Sequence, residues 1–200
     1  MAEIPLIPQQ VFEAIHNRIG EILTEELEKQ SILASDPTLI FPVFKERDIP
    51  FNDSELPAMN VMFDESEYDM QTQVQHTGDY QYVIELAANG KSNDEKFGDT
   101  LTMNQVQRVL GICREIIMNP KFTTLGFPKP LIENRKVIGM RFGKPVRQDS
   151  SHTILGRMMI RVKAVESAQL NTAHLIQGID TTVFLYETEN GYQWKSYFMQ

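Results

Sequence analysis

From His152 to Glu166 apolar side chains recur at every second residue, with Ile154, Met158, Ile160, Val162 and Ala164 pointing one way and Arg157, Arg161 and Lys163 the other. A two-residue period belongs to a strand with one buried and one open face. A strand this long needs partners of similar span and a second layer over its apolar side. Tyr80, Tyr82, Ile84 and Leu86, also two apart, place one partner within Thr72–Ala88, interrupted at Thr77-Gly78-Asp79. Ala58–Phe63 reads as a short strand ending at Asp64-Glu65-Ser66-Glu67. Val137–Phe142 reads as another, with Ile138, Met140 and Phe142 on one face and Arg141 on the other.

The covering layer is predicted by two stretches of a different period. Between Pro8 and Ile32, Val11, Phe12, Ile15, Ile19, Ile22, Leu23 and Leu27 form the stripe of an amphipathic helix. Gly20 within it costs about 1 kcal/mol relative to alanine, which the long stripe outweighs. Met103, Val106, Val109, Leu110, Cys113, Ile116 and Ile117 form a second stripe. Thr102-Met103-Asn104-Gln105 has the form of a capping box at its start, and Asn119-Pro120 stops it.

Residues 33–57 lose both periods. Pro37, Pro42, Pro50 and Pro57 exclude a long helix or a central strand, yet Leu39-Ile40-Phe41-Pro42-Val43-Phe44 is apolar. The segment reads as an extended arm that packs on a neighbouring subunit or partner rather than on its own core. Near the end, Thr181–Tyr186 and Tyr192–Phe198 flank Glu189-Asn190-Gly191, and Asn-Gly between apolar runs is a strong hairpin signal. The expected fold is therefore α+β: a mainly antiparallel sheet, two helices on one face, the arm, and a C-terminal hairpin. The expected division is a core over 1–170 and a hairpin extension over 171–200.

Composition narrows the class of protein. A chain with 42% hydrophobic and 23% charged residues over 200 positions can bury a core without metal or disulfide staples. A formal net charge of −8 disfavours broad binding to nucleic acid, which is driven by clusters of Lys and Arg. The single cysteine, Cys113, allows no internal disulfide and fits a reducing compartment. Met1-Ala2-Glu3-Ile4-Pro5 lacks the basic and apolar regions of a secretion signal, and no apolar run is long enough to span a bilayer. The expectation is a soluble protein made in a cytoplasm, with no membrane partner.

Catalytic and metal chemistry leave little trace. His16, His76, His152 and His174 have no ligand partner at helical spacing and no Cys-x-x-Cys nearby, so no metal is expected. The acidic cluster Asp64, Glu65, Glu67 and Asp69 lacks the glycine and ligand order of a calcium loop. Cys113 lies on an apolar stripe, where a thiol is usually inert. No phosphate-binding loop, dinucleotide fingerprint or nucleophile elbow occurs. No cofactor is expected and the chain is read as a non-enzyme. A hydrolase built on dispersed carboxylates stays open as an alternative, because their separation is three-dimensional.

One constellation points to contacts with other proteins. Arg141, Arg157, Arg161 and Lys163 project from the open faces of two neighbouring strands, and arginine is favoured at interfaces. Unopposed cations on one sheet face repel; Glu85 on the neighbouring strand can answer one of them but not all, so carboxylates of an adjacent subunit or another partner are expected to meet the rest. Ile40, Phe41 and Phe44 of the arm are the apolar members of the same candidate interface.

The layout carries a resemblance. An N-terminal amphipathic helix, Pro57-Ala-Met-Asn-Val61, Tyr80-Gln-Tyr-Val-Ile-Glu-Leu86, a helix over 102–118, Val137-Ile-Gly-Met-Arg-Phe-Gly143 and Gly156-Arg-Met-Met-Ile-Arg-Val162 follow one another. Over residues 8–166 this resembles the tail-terminator (minor tail protein U-like, tail-completion) proteins of long-tailed bacteriophages. The resemblance implies a homohexameric ring that caps the tail tube, joins it to the head–neck complex, and lets DNA through its bore without reading its sequence. It implies a virion protein assembled in the host cytoplasm, whose partners are its own copies, tail-tube proteins and neck proteins. The arm at 33–57 and the hairpin beyond 170 depart from the compact family core. They leave open another neck or tube component, or a non-catalytic accessory subunit of a cellular complex.

Overall fold

The structure is a computed structural model that describes residues 10–70, 75–91, 98–129, 131–144, 146–148, 151–167, 183–188 and 191–196. The predicted turn residues Glu189 and Asn190, His174, and the N-terminal Met1–Pro5 lie outside them. By density of contacts the chain divides into two units, Met1–Glu166 and Ser167–Gln200.

The first unit is an α+β domain, as its two periods predict. Helix α1 spans Val11–Ala34 and helix α2 spans Gly98–Met118. The strands are β1 (Val43–Lys45), β2 (Ala58–Met70), β3 (Gln75–Lys91), β4 (Ile132–Phe142), β5 (Val146–Gln148) and β6 (Ser151–Ser167). They form one sheet in the order β1-β2-β3-β6-β4, with β5 also against β6. Only β1 with β2 is a parallel pair among the registers described; β2–β3, β4–β6 and β5–β6 are antiparallel.

The core lies between the helices and one sheet face. Ile15, Ile19, Ile22, Leu23 and Leu27 of α1 and Val106, Leu110, Cys113 and Ile117 of α2 meet Tyr80, Tyr82 and Ile84 of β3 and Ile154, Met158, Ile160 and Val162 of β6, all buried. At about 1.5–3 kcal/mol per fully buried large apolar side chain, this layer dominates stability. Gly156 lets α2 approach β6: a Cβ there would lie 2.5 Å from Val106 Cγ1 and 2.7 Å from Leu110 Cδ1.

Several expectations are corrected. The arm does not stand apart from its own domain. Leu39 is buried in the core, Val43–Lys45 forms the edge strand β1, and Glu46 N donates to Val61 O at 2.9 Å. Gly20 leaves room for the Lys45 side chain to lie against α1, since a Cβ there would come within 2.9 Å of Lys45 Cδ. Strand β3 runs unbroken through Gly78, which takes the Tyr80 ring across its open side, so the glycine marks packing rather than a break. Helix α2 starts a turn earlier than the predicted box, leaving Thr102 buried inside it rather than at its cap. In β4 a bulge between Val137 and Gly139 shifts the alternation, so Ile138 is 39% exposed while Val137 and Met140 pack on the core.

The second unit holds a two-stranded antiparallel hairpin, β7 (Val183–Thr188) with β8 (Gly191–Ser196).

Candidate functional site

Helices α1 and α2 cover the same side of the sheet, so among the described residues its other side is bare of α-helix. Alternation sends Gln81, Val83 and Glu85 of β3, and Leu155, Arg157, Met159, Arg161 and Lys163 of β6, onto this bare side, because their sequence neighbours are the buried ones. Pairing with β6 adds Lys136 and Arg141 of β4, which lie opposite Arg161 and Arg157.

The four predicted basic residues do share this face. Three of them meet acids of their own chain. Arg157 Nε lies 2.6 Å from Glu85 Oε2, and Lys163 Nζ lies 3.4 Å from Glu133 Oε2. Arg161 donates to Gln81 Oε1 at 3.2 Å and sits 3.7 Å from Asp79 and 3.9 Å from Glu65. The premise of unopposed cations therefore holds for Arg141 alone, which is exposed and has no acid within ion-pair reach among the described residues. Glu85 answers one cation as the strand pattern allows, while Glu65, Asp79 and Glu133 answer the others because they come from β2, β3 and β4, and register decides who faces whom. Exposed pairs of this kind contribute only about 0–1 kcal/mol each.

Charge on the bare face is segregated. Across β4–β6, Arg141 lies opposite Arg157 and Lys136 opposite Arg161; across β2–β3, Glu67 lies opposite Asp79. Like charges directly opposite destabilise a sheet, so each end carries a small internal repulsion of its own sign.

The arm forms one wall of a groove of about 550 Å³ on this face, with Ile49, Pro50 and Phe51 on the wall and Met62, Leu155 and Arg157 among its lining. Arg47, which no sequence signal singled out, holds that wall. Its guanidinium donates to both Glu55 oxygens at 3.0 and 2.8 Å and lies 4.6 Å from the centroid of Phe44 and 5.0 Å from that of Phe51. Of the predicted arm residues, Phe44 is engaged in this cluster and Phe41 packs on the core; Ile40, 63% exposed, is the one left facing outward.

Two groups elsewhere have settled structural roles. His16 is buried and its Nε2 donates to Val61 O at 2.8 Å, with Glu46 Oε1 at 3.3 Å, joining α1 to the β1–β2 junction. Arg135, also buried, donates to Phe122 O at 2.7 Å and to Asn119 O, holding β4 to the C-terminal end of α2. Burial lowers its pKa, although a guanidinium remains charged. Cys113 is fully buried, and burial pushes its thiol up to about 12, far from a reactive thiolate. Among the described residues, no group of three or more His, Cys, Asp or Glu could hold a metal ion, and no helix is long and apolar enough to cross a membrane.

These features define a class: a two-layer α+β domain with one face sealed by helices and the other bare and divided by charge. The sequence matches no protein-family model and no curated protein.

Proposed function

We propose that the chain is a structural, ring-forming virion protein that caps a bacteriophage tail tube and joins it to the head–neck complex. The observation that carries this reading is the bare sheet face with its opposed charges. On that face Lys136 and Arg141 at one side and Glu67 at the other stand opposite like charges and have no ion-pair partner among the described residues, a pattern that repeated contact between copies satisfies. The element order over residues 8–166, shared in outline with tail terminators, supports the same reading. In this role the arm shapes the surface, Ile40 offers an exposed apolar contact, and the helices act as a rigid backing. Tail-tube and neck proteins would meet the two ends of the ring.

Light scattering and electron microscopy of the purified chain test it together. The expected result is a discrete oligomer, six subunits in a closed ring with a central opening. A monodisperse monomer at high concentration, or an oligomer without a bore, counts against the ring.

A further inference from the structure

Among the described residues, the far part of β2 and the outer side of β4 carry opposite charge and have no strand beside them. On the outer side of β2, β1 pairs only with Met59–Val61, so the stretch from Asp64 to Met70 has no strand beside it among the described residues. That stretch holds Asp64, Glu65, Glu67 and Asp69 and no Lys or Arg. At the other end of the strand order β4 is last, and its exposed charges are Lys136 and Arg141 against Glu133. A strand edge presents unpaired N–H and C=O groups, a template for a strand from another molecule.

We infer that these edges are the two halves of one contact between copies of this chain: the acidic edge of β2 in one copy docks along the basic edge of β4 in the next and continues the sheet. The inference rests on the self-assembly in the proposed function and names its surface. Three observations favour a second copy of this chain as the occupant. Glu67 and Asp69 on one edge, and Lys136 and Arg141 on the other, have no ion-pair partner among the described residues, so their charges are available. In the like-charge pairs Glu67–Asp79 and Arg141–Arg157, Asp79 and Arg157 already meet Arg161 and Glu85, so the members left over are Glu67 and Arg141, which stand at opposite edges and answer each other's charge. Each edge also repels its own kind, which disfavours two-fold β2–β2 or β4–β4 pairing and leaves the unlike pair. Such a head-to-tail contact makes a closed ring or an open chain, according to the rotation between copies. Tyr68, 54% exposed, and Ile138 and Phe142, 39% and 38% exposed, add apolar area beside the charges.

The test uses two full-length variants, Lys136→Glu with Arg141→Glu, and Glu67→Lys with Asp69→Lys. Both remove like-charge pairs inside the fold, so thermal unfolding should be unchanged or raised. Alone, each variant is expected to sediment as a monomer at low salt where the unaltered chain assembles. An equimolar mixture is expected to recover the large species, because each altered edge then meets the unlike edge of the other variant. Assembly by either variant alone, or a folded mixture that stays monomeric, overturns the inference, as does an unaltered chain that is monomeric at high concentration. Rings that survive both reversals overturn this contact and leave the ring reading intact. An oligomer that obeys the mixing rule but has no bore supports the contact and removes the ring.

Discussion

Arg47 and Asn60 exchange two hydrogen bonds: the Arg47 amide donates to Asn60 Oδ1 at 3.1 Å, and Asn60 Nδ2 donates to the Arg47 carbonyl at 2.9 Å. A strand side chain thus serves as the pairing partner of the arm where β1 has ended. Asn60 is buried, so both arm groups depend on it. Asn60→Ala is expected to destabilise the domain by about 1–3 kcal/mol, the cost of leaving buried polar groups unpaired. Asn60→Asp should also destabilise it, because the donor is lost and a carboxylate faces a carbonyl. Urea midpoints measure both, and two unchanged midpoints would remove Asn60 from this role.

Acid should loosen the arm. Hydrogen bonds from Arg47, then from the Asn52 amide, hold the Glu55 carboxyl below its usual value. Bonds from the Thr38 hydroxyl and amide, with Arg108, do the same for Asp36. A carboxyl whose folded pKa is depressed contributes stability above its unfolded pKa and loses it as pH falls through the folded one. Amide protection of the arm, corrected for intrinsic exchange, should therefore fall below the ordinary carboxylate range while protection in β3 persists. Glu55→Gln should weaken the arm at neutral pH and flatten that acid response.

Gly156 sets the spacing between α2 and β6. Gly156→Ala places a methyl against Val106 and Leu110, and overpacking of a closed core costs about 1–3 kcal/mol. Gly156→Val should cost more. Enlarging the glycine while trimming Val106→Ala should recover part of the loss in denaturation experiments. Equal losses with and without the trimming would mean that Val106 is not the obstacle.

Cys113 should resist thiol reagents. Its thiol is buried and held neutral, so a disulfide reagent at neutral pH should label the native chain far more slowly than the unfolded one. Cys113→Ala leaves a small cavity and should lower stability without altering assembly. Rapid labelling of the native chain would expose a thiol that the core packing forbids.

Local periodicity determined the frame of this protein. Ile154, Met158, Ile160 and Val162 announce a buried strand face because side chains alternate whatever the strand pairs with. The stripe from Ile15 to Leu27 announces a covering helix for the same kind of reason. Arg157, Arg161 and Lys163 could likewise be placed on the opposite face of their strand, and Arg141 beside Arg157 once the two strands were paired.

Register, bulges and close approaches belong to the tertiary structure, because they join residues far apart in sequence. Glu85 could be offered as a partner for one cation, but that Asp79 meets Arg161 and Glu133 meets Lys163 is set by register and by the bulge in β4, which no reading of one strand shows. Ile138 faces outward because it is itself the extra residue of the β4 bulge, with no partner in β6. Gly78 has the local signature of a break, yet its missing side chain leaves the space that the Tyr80 ring fills. The arm carries prolines that exclude long regular structure, yet three residues between them suffice for an edge strand once β2 offers its free side. The sequence could say which side chains seek burial; only the folded chain decides which edges remain open and which charges are left facing them.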